Sequence, residues 1–199
     1  MYKKFNKKIN TEVITIAPGE IFVSKSSEVI STVLGSCISV CLFDEVHTIG
    51  GMNHFMLPFD RINDFDISGN SIKTSINNKH FRYGIYAMEE LVSEMQKKGA
   101  RRENFKAKIF GGGNVIHGRN TKISVGYKNI EFANFFLNME GIPILSSSTG
   151  DDFGREVIFF SGTNRVLQKK IHTQFLKTKE ESYINSLKAK KSKTDITLF

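Results

Sequence analysis

The sequence contains only two cysteines, and no apolar run approaches the roughly 20 residues that a membrane-spanning helix requires. Cys37 and Cys41 lie four residues apart in one apolar segment. On a strand their Cα atoms would be about 13 Å apart, which is too far for a disulfide. A disulfide framework is therefore excluded, and a reducing cytoplasm is the expected location. The basic N-terminus is not followed by an apolar region, so a secretory signal is not expected.

The chain also lacks internal repeats and any linker rich in proline or in glycine and serine. Hydrophobic residues make up 40% and charged residues 24% of its 199 residues, as in globular proteins. A chain of this length can bury a sizeable core without disulfides or metals. We therefore predict one domain over residues 11–175, with a basic flexible N-terminal end at 1–10 and a basic C-terminal tail at 176–199.

The net charge of +8 is concentrated in these two ends. Residues 1–10 carry four lysines and no acidic residue, and residues 176–199 carry six lysines and three acidic residues. The rest of the chain holds a net charge of only +1. Nucleic-acid-binding proteins usually carry a basic face interleaved with aromatic residues, so the sequence favours solvated ends over specific nucleic-acid binding.

Hydrophobic periodicity predicts two helices and several short strands. Residues 83–98 and 127–140 carry apolar stripes at helical spacing, each ended by a glycine, Gly99 or Gly141. Residues 61–81 are polar and predict a long loop. Alternating or β-branched segments predict strands at Thr11–Ile16, Ile21–Ser24, Val29–Phe43 with a turn at Gly35-Ser36, Thr48–Leu57, Lys106–Phe110, Ile142–Ser146, Glu156–Ser161 and Arg165–Ile171. This order indicates an α+β or layered α/β domain.

Cys37 directly follows the turn at Gly35-Ser36 and is the candidate nucleophile. Glycine in such a turn permits unusual backbone dihedral angles and close approach of a substrate, and successive backbone N–H groups can hold an anion. These amides would be placed to stabilise an oxyanion beside the sulfur. The alternative for Cys37, and the favoured interpretation of Cys41, is packing in the core as a small hydrophobic residue.

His54 lies seventeen residues after Cys37, in the next predicted strand. Pairing of the two strands would bring the imidazole close enough to take the thiol proton. A half-buried histidine that bonds to the backbone is the alternative interpretation. The other histidines lie in turn-like or polar surroundings that suit surface positions: His47, His80, His117 and His172.

Metal and phosphate sites have little support in the sequence. Structural zinc sites prefer closer cysteine pairs, with a second matched pair, than Cys37 and Cys41 provide with His47 and His54. The Gly-Gly-Gly-Asn segment at 111–114 lacks both the dinucleotide-binding spacing and the Lys-Ser/Thr of a P-loop. We therefore expect no metal and no cofactor.

Two segments at a characteristic separation are the most specific motifs of the chain: VLGSCISVCLFD at 33–44 and IGGMNHFMLP at 49–58. Together with further matches at 82–91, 107–113, 123–130 and 150–157, they resemble the chemoreceptor glutamine deamidases of bacterial chemotaxis, the CheD family. The resemblance covers residues 10–172 and leaves out both basic ends and most of 61–81.

The resemblance implies a single-domain layered α/β (α+β) sandwich of mostly antiparallel strands with two main helices. It also implies a catalytic Cys-His-Thr set, in which Cys37 and His54 match the cysteine and the histidine. A gap-free match puts the third, hydroxyl-bearing residue at Ser31, with Thr32 one residue later, and these two side chains would point to opposite faces of a strand. In the implied reaction a Cys37 thiolate attacks a receptor glutamine, His54 transfers the protons, and ammonia leaves without any cofactor.

The implied partners of this monomeric enzyme are chemotaxis receptors, as protein substrates, and a regulatory phosphatase, CheC. A rival interpretation is a binding module of the same family that docks receptors or CheC and has weak catalysis. A third is a thiol peptidase or amidase with another substrate, because the same residues would serve it. Neither membrane insertion nor specific nucleic-acid binding is expected.

Overall fold

The computed structural model describes residues 1–57, 79–115 and 124–172. Within these ranges the chain forms, in order, β1 (Tyr2–Asn6), β2 (Thr11–Thr15), β3 (Ile21–Ser24), β4 (Val29–Leu34), β5 (Ile38–Asp44), β6 (Ile49–Asn53), α1 (Lys79–Lys97), a 3-10 helix (Arg102–Asn104), β7 (Phe105–Gly111), α2 (Val125–Met139), β8 (Ile144–Thr149), β9 (Gly154–Phe160) and β10 (Arg165–Ile171). The predicted strands are confirmed, with shifted ends.

The strands form two five-stranded sheets. The first sheet has the order β1-β2-β4-β9-β10, and the second has the order β3-β6-β5-β7-β8. Two neighbouring pairs, β2 with β4 and β7 with β8, are parallel, and the other pairs are antiparallel. The predicted layered α+β sandwich of mostly antiparallel strands with two main helices is confirmed.

Strand β5 lies in the interior of the described structure, and both of its faces are buried. Alternate residues of a strand point to opposite faces. Ile38, Val40 and Leu42 therefore pack with residues of the two helices in one apolar core. Cys41 and Phe43 pack on the other face, in a second core shared with residues of β4 and β9.

Both helices begin slightly before their predicted starts, and glycines follow them as predicted. Gly99 and Gly141 follow α1 and α2 in the left-handed region, with φ of 102° and 66°. Ser124 caps α2, since its hydroxyl accepts a hydrogen bond from the Tyr127 backbone N–H at 3.1 Å. Helix α1 takes in the end of the predicted 61–81 loop, and the rest of that loop lies outside the described residues.

The first ten residues, predicted to form a flexible end, contain strand β1 instead. This strand pairs with β2 in antiparallel fashion, from Tyr2 opposite Thr15 to Asn6 opposite Thr11. Four of its five residues are exposed, so the strand lacks the alternation of apolar and polar residues from which a strand is predicted. The predicted C-terminal tail at 176–199 lies outside the described residues. In the described part of the chain, neither helix combines the length and the apolar character needed to cross a membrane.

Candidate active site

Cys37 lies in the turn between β4 and β5, and backbone hydrogen bonds fix this turn from one side. Gly112 N–H donates to the Cys37 carbonyl and Gly113 N–H donates to the Gly35 carbonyl, both at 2.7 Å. Gly111 has a φ of 108°, and a Cβ atom there would collide with the Cys37 carbonyl oxygen. The triple glycine at 111–113, the glycine cradle, therefore lets its backbone approach the cysteine turn closely, because it carries no side chains. The sequence did not identify this segment as the support of the cysteine.

His54 follows β6 and pairs with the beginning of β5, as predicted. Ile38 and Phe55 exchange both backbone hydrogen bonds, at 2.9 and 3.0 Å. This register places His54 opposite Ser39, and it makes Cys37 a diagonal neighbour of His54 on the same face. Diagonal neighbours of this kind are about 7–8 Å apart, within reach of long side chains. The structure therefore brings the thiol and the imidazole into one layer between the two sheets.

Thr32 on β4 fixes the orientation of the His54 ring. Thr32 Oγ1 lies 2.7 Å from His54 Nδ1 and 2.9 Å from the Ile16 carbonyl oxygen. A carbonyl can only accept, so the single hydroxyl hydrogen goes to Ile16, and Thr32 accepts a hydrogen bond from Nδ1–H. The proton of the neutral imidazole is thus on Nδ1, and Nε2 carries the lone pair.

Ser31, the other candidate for the third residue, points to the opposite face of β4. Its Oγ lies 2.9 Å from Thr15 Oγ1 on the neighbouring strand β2. Of the two hydroxyl residues, the structure brings Thr32 to His54 and holds Ser31 away from it. The gap-free match therefore falls one residue from the hydroxyl that contacts the imidazole.

Burial lowers the pKa of His54 to about 3, because the charged ring is unfavourable away from water. The Ile16 carbonyl and the Glu20 carboxylate raise this pKa and only partly offset the burial. Among the described residues, neither His54 Nε2 nor the facing Ser39 Oγ has a hydrogen-bond partner. The neutral imidazole therefore has an available lone pair at Nε2 that can accept a proton.

The two cysteines differ in their surroundings. Cys41 is fully buried in the core, as predicted, and this burial raises the pKa of its thiol. Cys37 and His54 are each 3% exposed. A small pocket adjoins the cysteine turn through Ser36 and is lined otherwise by residues 113–115 and 124–126.

Two of the remaining histidines lie away from Cys37 and His54, and the other two cannot be placed among the described side chains. His47 Nδ1 lies 2.7 Å from Asp44 Oδ2 at the far end of β5, and His172 is exposed beyond β10. His117 and the side chain of His80 lie outside the described residues. In the ranges that the structure describes, His, Cys, Asp and Glu side chains form no group of three or more suited to a metal ion.

Comparisons with known proteins identify a family. The family model for CheD chemotactic sensory transduction matches residues 56–170. A probable chemoreceptor glutamine deamidase CheD of Methylobacillus flagellatus is 46% identical over 198 residues, which covers 98% of this chain and 93% of that protein. Proteins of the same description from Thiobacillus denitrificans and Hydrogenovibrio crunogenus are each 41% identical, over 98% and 92% of this chain and 93% and 92% of their own lengths. The family match begins after Cys37 and His54, whereas matches over 98% of the chain include both residues.

Proposed function

The chain belongs to the CheD family, and from this premise we propose that it is a chemoreceptor glutamine deamidase that works through Cys37, His54 and Thr32. The observation that carries the proposal is the Thr32–His54 hydrogen bond, which holds the ring by Nδ1 and leaves the buried Nε2, without a partner among the described residues, as the nitrogen that can take the thiol proton. The substrate is the side-chain carboxamide of glutamines in chemotaxis receptors. We place the reaction in the cytoplasm, because thiols are kept reduced there.

The first half of the reaction forms a thioester. His54 Nε2 takes the proton of the Cys37 thiol, and the sulfur attacks the carboxamide carbon, so that a C–S bond forms and the oxygen becomes an oxyanion. Backbone N–H groups of the Gly35–Cys37 turn, the donors nearest to the sulfur along the chain, stabilise this oxyanion. The C–N bond then breaks, and His54 gives its proton to the nitrogen, which leaves as ammonia.

The second half regenerates the enzyme. His54 Nε2 takes a proton from a water molecule, whose oxygen attacks the thioester carbon. The C–S bond breaks, the sulfur recovers a proton, and the side chain leaves as a glutamate. In total, one water is consumed and one ammonia is released for each glutamine. The new negative charge on a receptor helix changes helix packing and biases signalling.

The pKa of His54 determines the resting state of this mechanism. With a pKa lowered to about 3 by burial, the ring is neutral at pH 7 before substrate binds. A neutral ring can accept the Cys37 proton at Nε2 when the sulfur attacks the carboxamide. Thr32 keeps the ring in one tautomer and one orientation, the role that an Asn or Asp plays in other triads.

Mass spectrometry of a purified receptor cytoplasmic fragment tests the proposal. The wild-type protein should convert specific glutamines to glutamate with release of ammonia, whereas Cys37→Ala and His54→Ala should do neither. Cys41→Ala is the matched control, because it removes the other buried thiol, which lies on β5, and should leave activity intact. Ammonia release by Cys37→Ala would overturn the mechanism, and release of peptides in place of ammonia would identify a thiol peptidase.

The burial of Cys37 and His54 favours one second candidate, a binding module that docks receptors or the phosphatase CheC with weak catalysis. We propose that the chain is a monomer and that CheC, where it occurs, binds this monomer. The rate at which iodoacetamide labels Cys37 at neutral pH separates the two candidates. A reactive Cys37 supports the deamidase, and an inert Cys37 in a protein that still binds receptor supports the binding module.

A further inference from the structure

Asn129 on α2 connects the two segments that carry the proposed nucleophile and base. Its Nδ2 donates to the Ser36 carbonyl at 2.8 Å, and the Leu57 backbone N–H donates to its Oδ1 at 2.9 Å. Ser36 directly precedes Cys37, and Leu57 lies three residues after His54. The side chain of Asn129 is fully buried. One amide therefore binds both segments, from a helix far from either in sequence.

The two partners leave only one orientation for this amide. The Ser36 carbonyl can only accept and the Leu57 N–H can only donate, so Nδ2 must face Ser36 and Oδ1 must face Leu57. The start of α2 lies very close to the triple glycine that supports the cysteine turn. The missing side chain of Gly126 permits this approach, since a Cβ atom there would collide with the Gly112 carbonyl oxygen. One turn further along α2, Phe132 packs edge-on against Phe55, with ring centroids 5.9 Å apart.

The place of Asn129 in the strand register shows what its amide does. Ile38 and Phe55 form a hydrogen-bonded pair, and in an antiparallel ladder the next such pair outward is Ser36 with Leu57. The carbonyl of Ser36 and the N–H of Leu57 each bond to Asn129. The amide thus stands where a direct ladder bond would form, and it holds the two strands apart by its own width. Cys37 lies between the closed pair and this opened one.

We propose that Asn129 is a positioning residue that fixes the separation of Cys37 from His54 by holding this end of the ladder open. The inference rests on the proposed deamidase function. Closure of the ladder at Ser36 and Leu57, or loss of both bonds, displaces the cysteine turn relative to the imidazole. A displacement of about 1 Å in a catalytic geometry can reduce the rate on the order of 100-fold.

The test compares the same substitution at two asparagines of α2. Asn129→Leu removes both bonds and keeps the number and branching of the side-chain heavy atoms. Asn134→Leu is the matched control, because the Asn134 amide donates to the Ile130 carbonyl of its own helix and, within the described residues, reaches neither the cysteine turn nor the His54 segment. For each variant, kcat and KM are measured on a receptor fragment, together with the thermal midpoint and the rate of Cys37 alkylation by iodoacetamide at neutral pH.

The expected result for Asn129→Leu is a kcat lowered about 10- to 100-fold with KM within about twofold of the wild type. Asn134→Leu should keep both constants. A purely structural role would lower activity only in proportion to the folded fraction, and that result, or an unchanged kcat, would overturn the proposal. If Asn129→Leu does not fold, Asn129→Asp replaces it, since the carboxylate can still accept from Leu57 but no longer donates to Ser36.

The alkylation arm separates this inference from the proposed function. If the wild-type protein deamidates no receptor, the proposed function fails, and the positioning role is decided by thiol reactivity alone. Slower labelling of Cys37 in Asn129→Leu than in Asn134→Leu then supports it, and equal rates refute it. If the wild type is active and Asn129→Leu matches it in kcat, the function stands and the positioning role falls.

Discussion

Ser39 and His54 face each other across the ladder between β5 and the segment after β6, and each carries a buried polar atom with no partner among the described residues. The two atoms are the Ser39 hydroxyl oxygen and the His54 Nε2. A buried polar atom left unpaired costs about 1–3 kcal/mol. Two buried polar atoms without partners among the described residues thus meet at the position where the proposed mechanism needs an unoccupied base.

Replacing Ser39 by alanine should therefore stabilise the protein. Ser39→Ala removes one unpaired buried hydroxyl, and we expect the free energy of unfolding to rise by about 1 kcal/mol, as measured by urea denaturation. The matched control is Ser161→Ala, because the Ser161 hydroxyl donates to the Glu28 carbonyl at 2.7 Å and its loss should destabilise. A Ser39→Ala variant that is less stable than the wild type would show that this hydroxyl is paired in solution.

Thr32 and Ser31 should differ in their effect on activity. Thr32→Val keeps the shape of the side chain but removes the acceptor for His54 Nδ1–H, so that the ring can turn away from Cys37. We expect kcat to fall about 10- to 100-fold, with recovery in Thr32→Ser, which restores the hydroxyl. Ser31→Ala loses only the contact with Thr15 and should stay within about threefold of the wild type.

Kinetics on the receptor fragment would check this pair of predictions. A greater loss of activity in Ser31→Ala than in Thr32→Val would contradict the assignment of Thr32 as the residue that orients the imidazole.

The difficulty of choosing between Ser31 and Thr32 shows what the sequence can and cannot predict. The strand pairing of Cys37 with the His54 segment follows from two apolar, alternating segments with a turn between them. The third residue does not follow in this way, because a shift of one residue along a strand moves the side chain to the other face. Only the packing of the first sheet on the second decides which hydroxyl meets the imidazole.

Two other features were hidden in the sequence for different reasons. Strand β1 consists almost wholly of exposed residues, and it exists because it adds hydrogen bonds to β2. Asn129 acts through backbone groups of Ser36 and Leu57, which are 93 and 72 residues away in sequence. A local pattern carries no information on such contacts, although the helix that bears Asn129 was itself predicted.

His54 should give the stability of the protein a pH dependence of known sign. Its pKa is lowered by burial from 6.5 to about 3 in the folded state, so between these values the unfolded chain binds a proton that the folded chain does not. The resulting stability is fully present above pH 6.5 and is lost as the pH falls toward 3. We expect the free energy of unfolding to decrease by up to about 1.4 kcal/mol per pH unit between pH 6 and 4.

Urea denaturation of His54→Gln provides the comparison, since this variant should have a flatter dependence in the same range. Asp44, whose side chain is also buried, acts at lower pH. Burial raises the pKa of Asp44, but hydrogen bonds from the Arg101 and His47 backbones and the His47 ring outweigh it and hold the pKa at about 2. The stability that Asp44 contributes is present above its usual 3.8 and is lost as the pH falls toward 2. An unchanged slope between pH 6 and 4 in His54→Gln would contradict the assignment to His54.

Arg155 should prove to be a remote support of the cysteine turn. Its fully buried side chain donates to the Gly150 carbonyl at 2.9 Å and to Asp151 Oδ2 at 3.0 Å. The same loop holds the glycine cradle, because Gly150 N–H donates to the Gly111 carbonyl and Asn114 N–H donates to the Asp151 carbonyl. The guanidinium therefore holds the 148–153 loop in place. This loop bonds to the glycine cradle, which in turn holds the cysteine turn.

Arg155→Leu should lower the free energy of unfolding by about 2 kcal/mol, because several acceptors of the 148–153 loop lose their donor at once. It should also slow the alkylation of Cys37, because the 148–153 loop no longer holds the glycine cradle in place. Arg165→Leu is the control: this arginine stacks on Phe160 at an exposed position, and its loss should change stability by less than about 0.5 kcal/mol. Equal stability and equal Cys37 labelling in the two variants would mean that the glycine cradle holds its shape through its own backbone bonds alone.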